Sequence, residues 1–140
     1  MMSDLAVRPN IVVYCCAHSG YEAADRAGRR HLSYPVGVRI VRVPCSGKVD
    51  AIYLLKAFEQ GADGVLVVGC HEDSCQFLTG NLRAKKRVDY VRGLLQEIGL
   101  EPERVRMAHV ASVQDLRFVE LVREMEETLT ALGPIVRKEQ

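Results

Sequence analysis

No apolar stretch in this 140-residue chain approaches the roughly 18 residues that span a bilayer, tryptophan is absent, and aromatic residues make up only 6%. The start, residues 1–9, has no apolar signal-peptide segment. A soluble protein of the cytoplasm is the expectation. Charge of one sign is also lacking: the formal net charge is +1, which gives no support to binding of a polyanion. Nucleotide signatures are missing, since no loop reads GxxxxGK(S/T) or GxGxxG. CxxC is absent too, which counts against a thiol–disulfide oxidoreductase and weakens, without removing, a structural zinc site. There is no internal repeat and no low-complexity segment.

What the chain does have is 48% hydrophobic and 26% charged residues, enough to bury one continuous core. A single domain over 1–140 is expected, with its core at about 10–134 and short flexible ends. The chain also has five cysteines. An odd number without an export signal argues against a disulfide framework and for metal binding or redox work in a reducing compartment. Their placement is not random. Cys16 closes Ile11-Val12-Val13-Tyr14-Cys15-Cys16, Cys45 follows the run Val38 to Val43, Cys70 closes the run from Val65, and Cys75 comes five residues on. The bland reading, cysteine as a small buried hydrophobe at a strand end, suits one such residue better than four.

Periodicity gives four rounds of strand then helix. Asn10 to Cys16 and Asp63 to Cys70 are near-continuous apolar runs, the pattern of central parallel strands covered on both faces. Gly37 to Val43 carries Arg39 and Arg42, and Val105 to Ala111 carries Arg106 and His109, which marks both as edges. The expected fold is α/β: a single open, mainly parallel four-stranded sheet with helices on both faces, in the flavodoxin-like order 2-1-3-4. A short, weakly patterned helix is expected from about Tyr21 to Arg30. The second helix shows Val49, Ile52, Tyr53 or Leu55, and Phe58 at helical spacing and stops at Gly61. The third shows Val88, Val91, Leu95 and Ile98 and stops at Gly99, with Arg83, Lys85, Lys86, Arg87 and Arg92 on its other side. The fourth reads Leu116, Val119, Val122, Met125, Leu129 and Leu132, with Ser112 as N-cap and Asp115 at N3.

In such a sheet the carboxyl ends of the strands share one edge, where open α/β folds bind ligands. Thiols scattered along the sequence therefore meet there. Glycines in Ala17-His18-Ser19-Gly20 and Ser46-Gly47-Lys48 permit close backbone approach, and the helix N-termini that follow favour an anionic centre and the thiolate form of cysteine. Soft-metal ligation by Cys16, Cys45, Cys70 and Cys75, as an iron–sulfur cluster, is the leading expectation. Zinc is the nearer rival, and a flavin at the same edge the remoter one. Cys15 falls on the opposite pleat face from Cys16 and reads as core. His71, between two expected ligands, reads equally well as a supplementary group, tuning the centre by hydrogen bonding or ligating it through nitrogen, and as a solvated loop residue, and so does His18. His31 and His109 read as surface or structural residues. The basic side from Arg83 to Arg92 is either a solvated face or a dock for an acidic redox partner.

Several motifs in order carry a resemblance. They are Val43-Pro44-Cys45-Ser46-Gly47-Lys48-Val49-Asp50, Leu55-Lys56-Ala57-Phe58-Glu59-Gln60-Gly61-Ala62-Asp63-Gly64-Val65, Gly69-Cys70-His71-Glu72-Asp73-Ser74-Cys75 and Gly80-Asn81. Arg87, Leu94-Leu95, Glu97-Ile98-Gly99 and Glu101-Pro102-Glu103-Arg104 continue it. Over about residues 10–134 the chain resembles the delta subunit of methyl-viologen-reducing hydrogenase. The resemblance implies an electron-transfer subunit with one 2Fe-2S cluster, relaying electrons from a hydrogenase or formate dehydrogenase to the flavin-containing A subunit of heterodisulfide reductase or of a related complex. It implies no substrate chemistry of its own. By position the family's cysteines fall on Cys16, Cys45, Cys70 and Cys75. The family often has Cys-Asn-Trp-Cys after the first strand, whereas this chain has Cys16-Ala17-His18-Ser19. Ser19 thus stands where a fifth cysteine would be, and Cys15, Ser19 or His18 are the candidates to complete the site if that position is a ligand. The second expectation is a cluster-free or zinc-binding scaffold of the same kind of complex.

Overall fold

Apolar runs free of charge become the middle of a parallel sheet, and runs carrying arginine become its edges. The computed structural model describes residues 9–16, 20–29, 37–43, 51–69, 80–110 and 114–133. Its strands are β1 (Ile11–Cys16), β2 (Val38–Val43), β3 (Gly64–Gly69) and β4 (Val105–His109), arranged β2-β1-β3-β4 with every neighbouring pair parallel. This is the expected order. β3 is buried along its whole length, while β2 exposes Arg39 and Arg42, as an edge requires. The helices are α1 (Gly20–Arg29), α2 (Ala51–Glu59), α3 (Gly80–Glu97) and α4 (Asp115–Leu132), and a 3-10 turn at Pro102–Arg104 leads into β4.

Strand residues alternate between two cores. Ile11, Val13, Cys15, Leu66 and Val68 pack with Ala23 and Ala24 of α1 and with Phe118, Leu121, Val122, Met125 and Leu129 of α4. On the opposite face, Val65, Val67 and Val105 pack with Leu54, Ala57 and Phe58 of α2 and with Ala84, Val88, Val91 and Leu95 of α3. Alanines on α1 allow it to lie close to α4, against which it packs. α2 and α3 both end in the hydrogen-bond pair of a Schellman motif. Gly61 N–H reaches Phe58 O and Ala62 N–H reaches Ala57 O; Gly99 N–H reaches Gln96 O and Leu100 N–H reaches Leu95 O. Both glycines have positive φ, 112° and 88°, the conformation that makes glycine the stop signal.

Helix faces depart from the sequence expectation in four places. Ile52 and Tyr53 of α2, Ile98 after α3 and Leu116 of α4 are exposed, at 55%, 54%, 71% and 55%. Leu54, Phe118 and Leu121 are buried instead. Each misread residue is large and apolar at helical spacing, and the face that packs is the one an adjacent layer covers. Asp115 is the first residue of α4 with Gln114 as its N-cap, not N3, and its carboxylate accepts the Leu116 N–H at 2.8 Å. Ser112, Val49, His31 and the two chain ends lie outside the described residues.

The amino end of the sheet is tied by polar links. Asn10 O accepts Asp63 N–H at 2.7 Å, and the Asp63 carboxylate accepts Asn10 N–H at 3.0 Å. Arg104, only 2% exposed, donates to Glu101 Oε1 at 2.7 Å, to Asp63 O at 3.1 Å and to Gly133 O at 2.8 Å. One guanidinium thus joins the entry to β3, the end of α4 and the turn before β4. Buried arginine is tolerable because each donation meets an acceptor.

Candidate metal centre at the carboxyl edge

Parallel register decides which strand residues meet at the carboxyl edge. Cys16 pairs with Val43 across β1 and β2. Cys15 pairs with Val68, so that one residue further on Cys16 stands level with Gly69, the last residue of β3. Gly69 in turn pairs with His109, the last residue of β4, and its carbonyl accepts the Val110 N–H at 3.0 Å. The final row of the sheet therefore reads Val43, Cys16, Gly69, His109.

Cys15 and Cys16 are both buried, at 0% and 1%, but on different faces. Cys15 belongs to the α1/α4 core, where burial, with a smaller contribution from Cys16, pushes its thiol up to about 12. A thiol held that high is an apolar packing group. Cys16, one residue on, falls on the face of Tyr14, Val67 and Met107, which pack with α2 and α3. His109 lies two residues beyond Met107 and shares that face; it is half-buried.

Thiol and imidazole thus lie on one face of one row, with Gly69 contributing no side chain between them. Both are donors suited to a soft or borderline metal. Among the described residues no three His, Cys, Asp or Glu side chains gather as a metal-ligand group. Of the residues expected to form the site, Cys16 and Cys15 are described, and Cys45, Cys70, Cys75, His18, Ser19 and His71 lie outside the described residues. The strand ends that lead to two of them are described: Val43 precedes Cys45 by two residues, and Gly69 directly precedes Cys70. His109 is the residue that sequence reasoning assigned to surface or structure. The order 2-1-3-4 puts the end of the fourth strand beside the end of the third, and the register that sets His109 level with Gly69 comes from the structure.

Away from this edge, a cavity of about 220 Å³ opens beside β2 in the amino half of the sheet, lined in part by Asn10, Tyr14, Arg39 and Gln60. Burial raises the Tyr14 hydroxyl above its ordinary value, and that hydroxyl donates to Tyr53 O at 3.3 Å. Among the described residues no thiol lines this cavity. The long helices differ in charge: α3 carries five basic and two acidic residues, α4 five acidic and two basic. Arg83, Lys85 and Lys86 of α3 are exposed.

Fold and edge together define a class: a doubly wound α/β protein whose carboxyl edge carries cysteine at a strand end. The chain belongs to the family of the methyl-viologen-reducing hydrogenase delta subunit, whose model matches residues 11–133. It is 44% identical over 132 residues to the iron-sulfur D subunit of the vhu F420-non-reducing hydrogenase of Methanocaldococcus jannaschii, a match covering 94% of this chain and 98% of that one. It is 44% identical over 126 residues to the iron-sulfur D subunit of the F420-non-reducing hydrogenase of Archaeoglobus profundus, covering 90% and 92%. The A subunit of the ferredoxin/F420H2-dependent CoB-CoM heterodisulfide reductase of Methanosarcina acetivorans is 39% identical over 127 residues, 91% of this chain but 16% of that protein. No helix among the described residues is long and apolar enough to cross a membrane.

Proposed function

We propose that the protein is an electron-transfer subunit that carries a 2Fe-2S cluster on Cys16, Cys45, Cys70 and Cys75. It relays electrons between a hydrogenase or formate dehydrogenase and a heterodisulfide-reductase-type flavoprotein, and it carries out no substrate chemistry alone. The observation that carries this reading is the last row of the sheet: Cys16 is flanked there by Val43 and Gly69, the residues that lead into Cys45 and Cys70. The names of the relatives support the iron–sulfur part and the hydrogenase donor. That a similar stretch forms part of the A subunit of a heterodisulfide reductase supports a partner of that kind on the other side.

When bound, the cluster supplies one-electron chemistry at a potential set by thiolate charge, hydrogen bonds and exposure. The chain's own residues hold and insulate it. Cys16 presents its thiolate from the end of a rigid central strand, and the α2/α3 core behind it excludes water. Cys15 is left out of the ligand set because its thiol is committed to the other core. The exposed arginine and lysine residues of α3 steer an acidic redox partner.

The test is anaerobic purification followed by measurement of iron, acid-labile sulfide and zinc per chain, with visible spectra before and after dithionite. About two irons and two sulfides with a band that bleaches on reduction are expected. A colourless chain, still iron-free after anaerobic reconstitution, would overturn the relay and leave a zinc-binding or metal-free scaffold.

A further inference from the structure

We propose that His109 is a tuning residue for this centre: its ring N–H donates a hydrogen bond to a sulfur of the site and holds the reduction potential up. The inference rests on the cluster reading above and goes beyond it, because His109 comes from the fourth strand, which supplies no cysteine. The argument begins with register. His109 and Cys16 flank Gly69 in the same row and lie on the same face of the sheet, two strand spacings apart, about 10 Å between Cα atoms. Gly69 puts no side chain between them. β4 is anchored at both ends, since Val105 is fully buried and the Val110 N–H closes on Gly69 O at 3.0 Å immediately after His109.

Reduction adds negative charge to a centre already held by thiolates, and that charge spreads onto sulfur. A donor aimed at sulfur stabilises the reduced state more than the oxidised one, so it raises the potential. Imidazole suits the task because one ring nitrogen can be fixed by a partner while the other donates. His109 is half-buried and so is partly screened from water, which would otherwise compete for the bond.

The experiment compares the full-length wild type with His109→Leu and His109→Gln, all purified without oxygen. Iron and sulfide content, thermal unfolding, the electron-spin-resonance spectrum of the reduced centre and the midpoint potential are measured for each. His109→Leu is expected to keep its iron and to shift the reduction equilibrium about tenfold toward the oxidised form, which for a one-electron couple is about 59 mV more negative. His109→Gln, which retains an N–H at similar reach, is expected to recover most of that shift. Should His109→Leu fail to fold, His109→Asn, polar but shorter, takes its place with the same expected shift. Equal potentials in all variants with full iron would overturn the tuning role alone. So would a glutamine variant that shifts as far as leucine, or loss of iron from both variants. An iron-free wild type would overturn this inference together with the reading beneath it.

Discussion

At the amino end of the sheet, the groups that reach between elements are the backbone of Asn10, the carboxylate of Asp63 and the guanidinium of Arg104, engaged by hydrogen bonds within the chain. At the carboxyl end a thiol and an imidazole stand on either side of a glycine in one row of the sheet. Both ends close the same four strands, yet among the described residues the amino end offers hard carboxylate oxygens already tied up in hydrogen bonds, and the carboxyl end a thiol and an imidazole suited to softer metals. The difference follows from the parallel arrangement. All strands start at one end, so polar links there can lock the topology, and all strands finish at the other, so chemistry can be collected from distant parts of the sequence. On the proposed site, stability and function are separated along the strand axis, and that separation can be tested by substitution.

The largest effect is expected from Cys16→Ala, which should lose most of the iron while Cys15→Ala keeps it. Iron per chain after anaerobic purification reads this directly, and equal retention in both variants would erase the distinction between the two faces. Arg104→Met should do the reverse. With the guanidinium gone, the part-buried carbonyls of Asp63 and Gly133 lose their donor, a cost of about 2 kcal/mol in denaturant unfolding, with iron per folded chain unchanged. Gly64→Ala sharpens the same contrast with a smaller effect. A Cβ there would meet Leu129 Cδ1 and would come within 2.9 Å of Met125 Cε, so overpacking against α4 should cost about 1–3 kcal/mol without altering the metal.

The smallest effect concerns pH. The hydrogen bond from Arg104, together with a backbone hydrogen bond, holds the Glu101 carboxyl below its ordinary value of 4.5. Its folded pKa is depressed, so its contribution is present above the unfolded value and is lost as pH falls through the folded one. Denaturation midpoints should therefore drop more between pH 5 and pH 3 in the wild type than in Arg104→Met, as an order-of-magnitude window set by carboxylate titration. A parallel fall in both would remove Glu101 from the amino-end link.

Strand order was legible because burial on both faces leaves no room for charge. The runs at Ile11–Cys16 and Val65–Gly69 lack it, and the two edge runs carry arginine. Helix ends were legible at Gly61 and Gly99 because positive φ selects glycine. Helix faces were harder. Ile52, Tyr53 and Leu116 satisfy helical spacing as well as Leu54 and Phe118 do, and only the position of the neighbouring layer decides between them. Arg104 gave no sign of burial, because a buried arginine depends on acceptors far away in sequence, at Asp63 and Gly133. His109 was read as a surface or structural residue, and its place in the row beside Gly69 was not legible, because register between β3 and β4 cannot be seen in either run alone.

Cys15 and Cys16 are adjacent in sequence but belong to opposite sides of the pleat. A slip of β1 by one residue against its neighbours would exchange their faces, turning Cys15 toward the α2/α3 side and Cys16 toward the α1/α4 side. On the proposed ligand set, metal loading becomes an inspection of strand threading. A chain that assembles its sheet out of phase cannot present the right sulfur, so the loaded fraction of a preparation counts the molecules whose central strand has found its place.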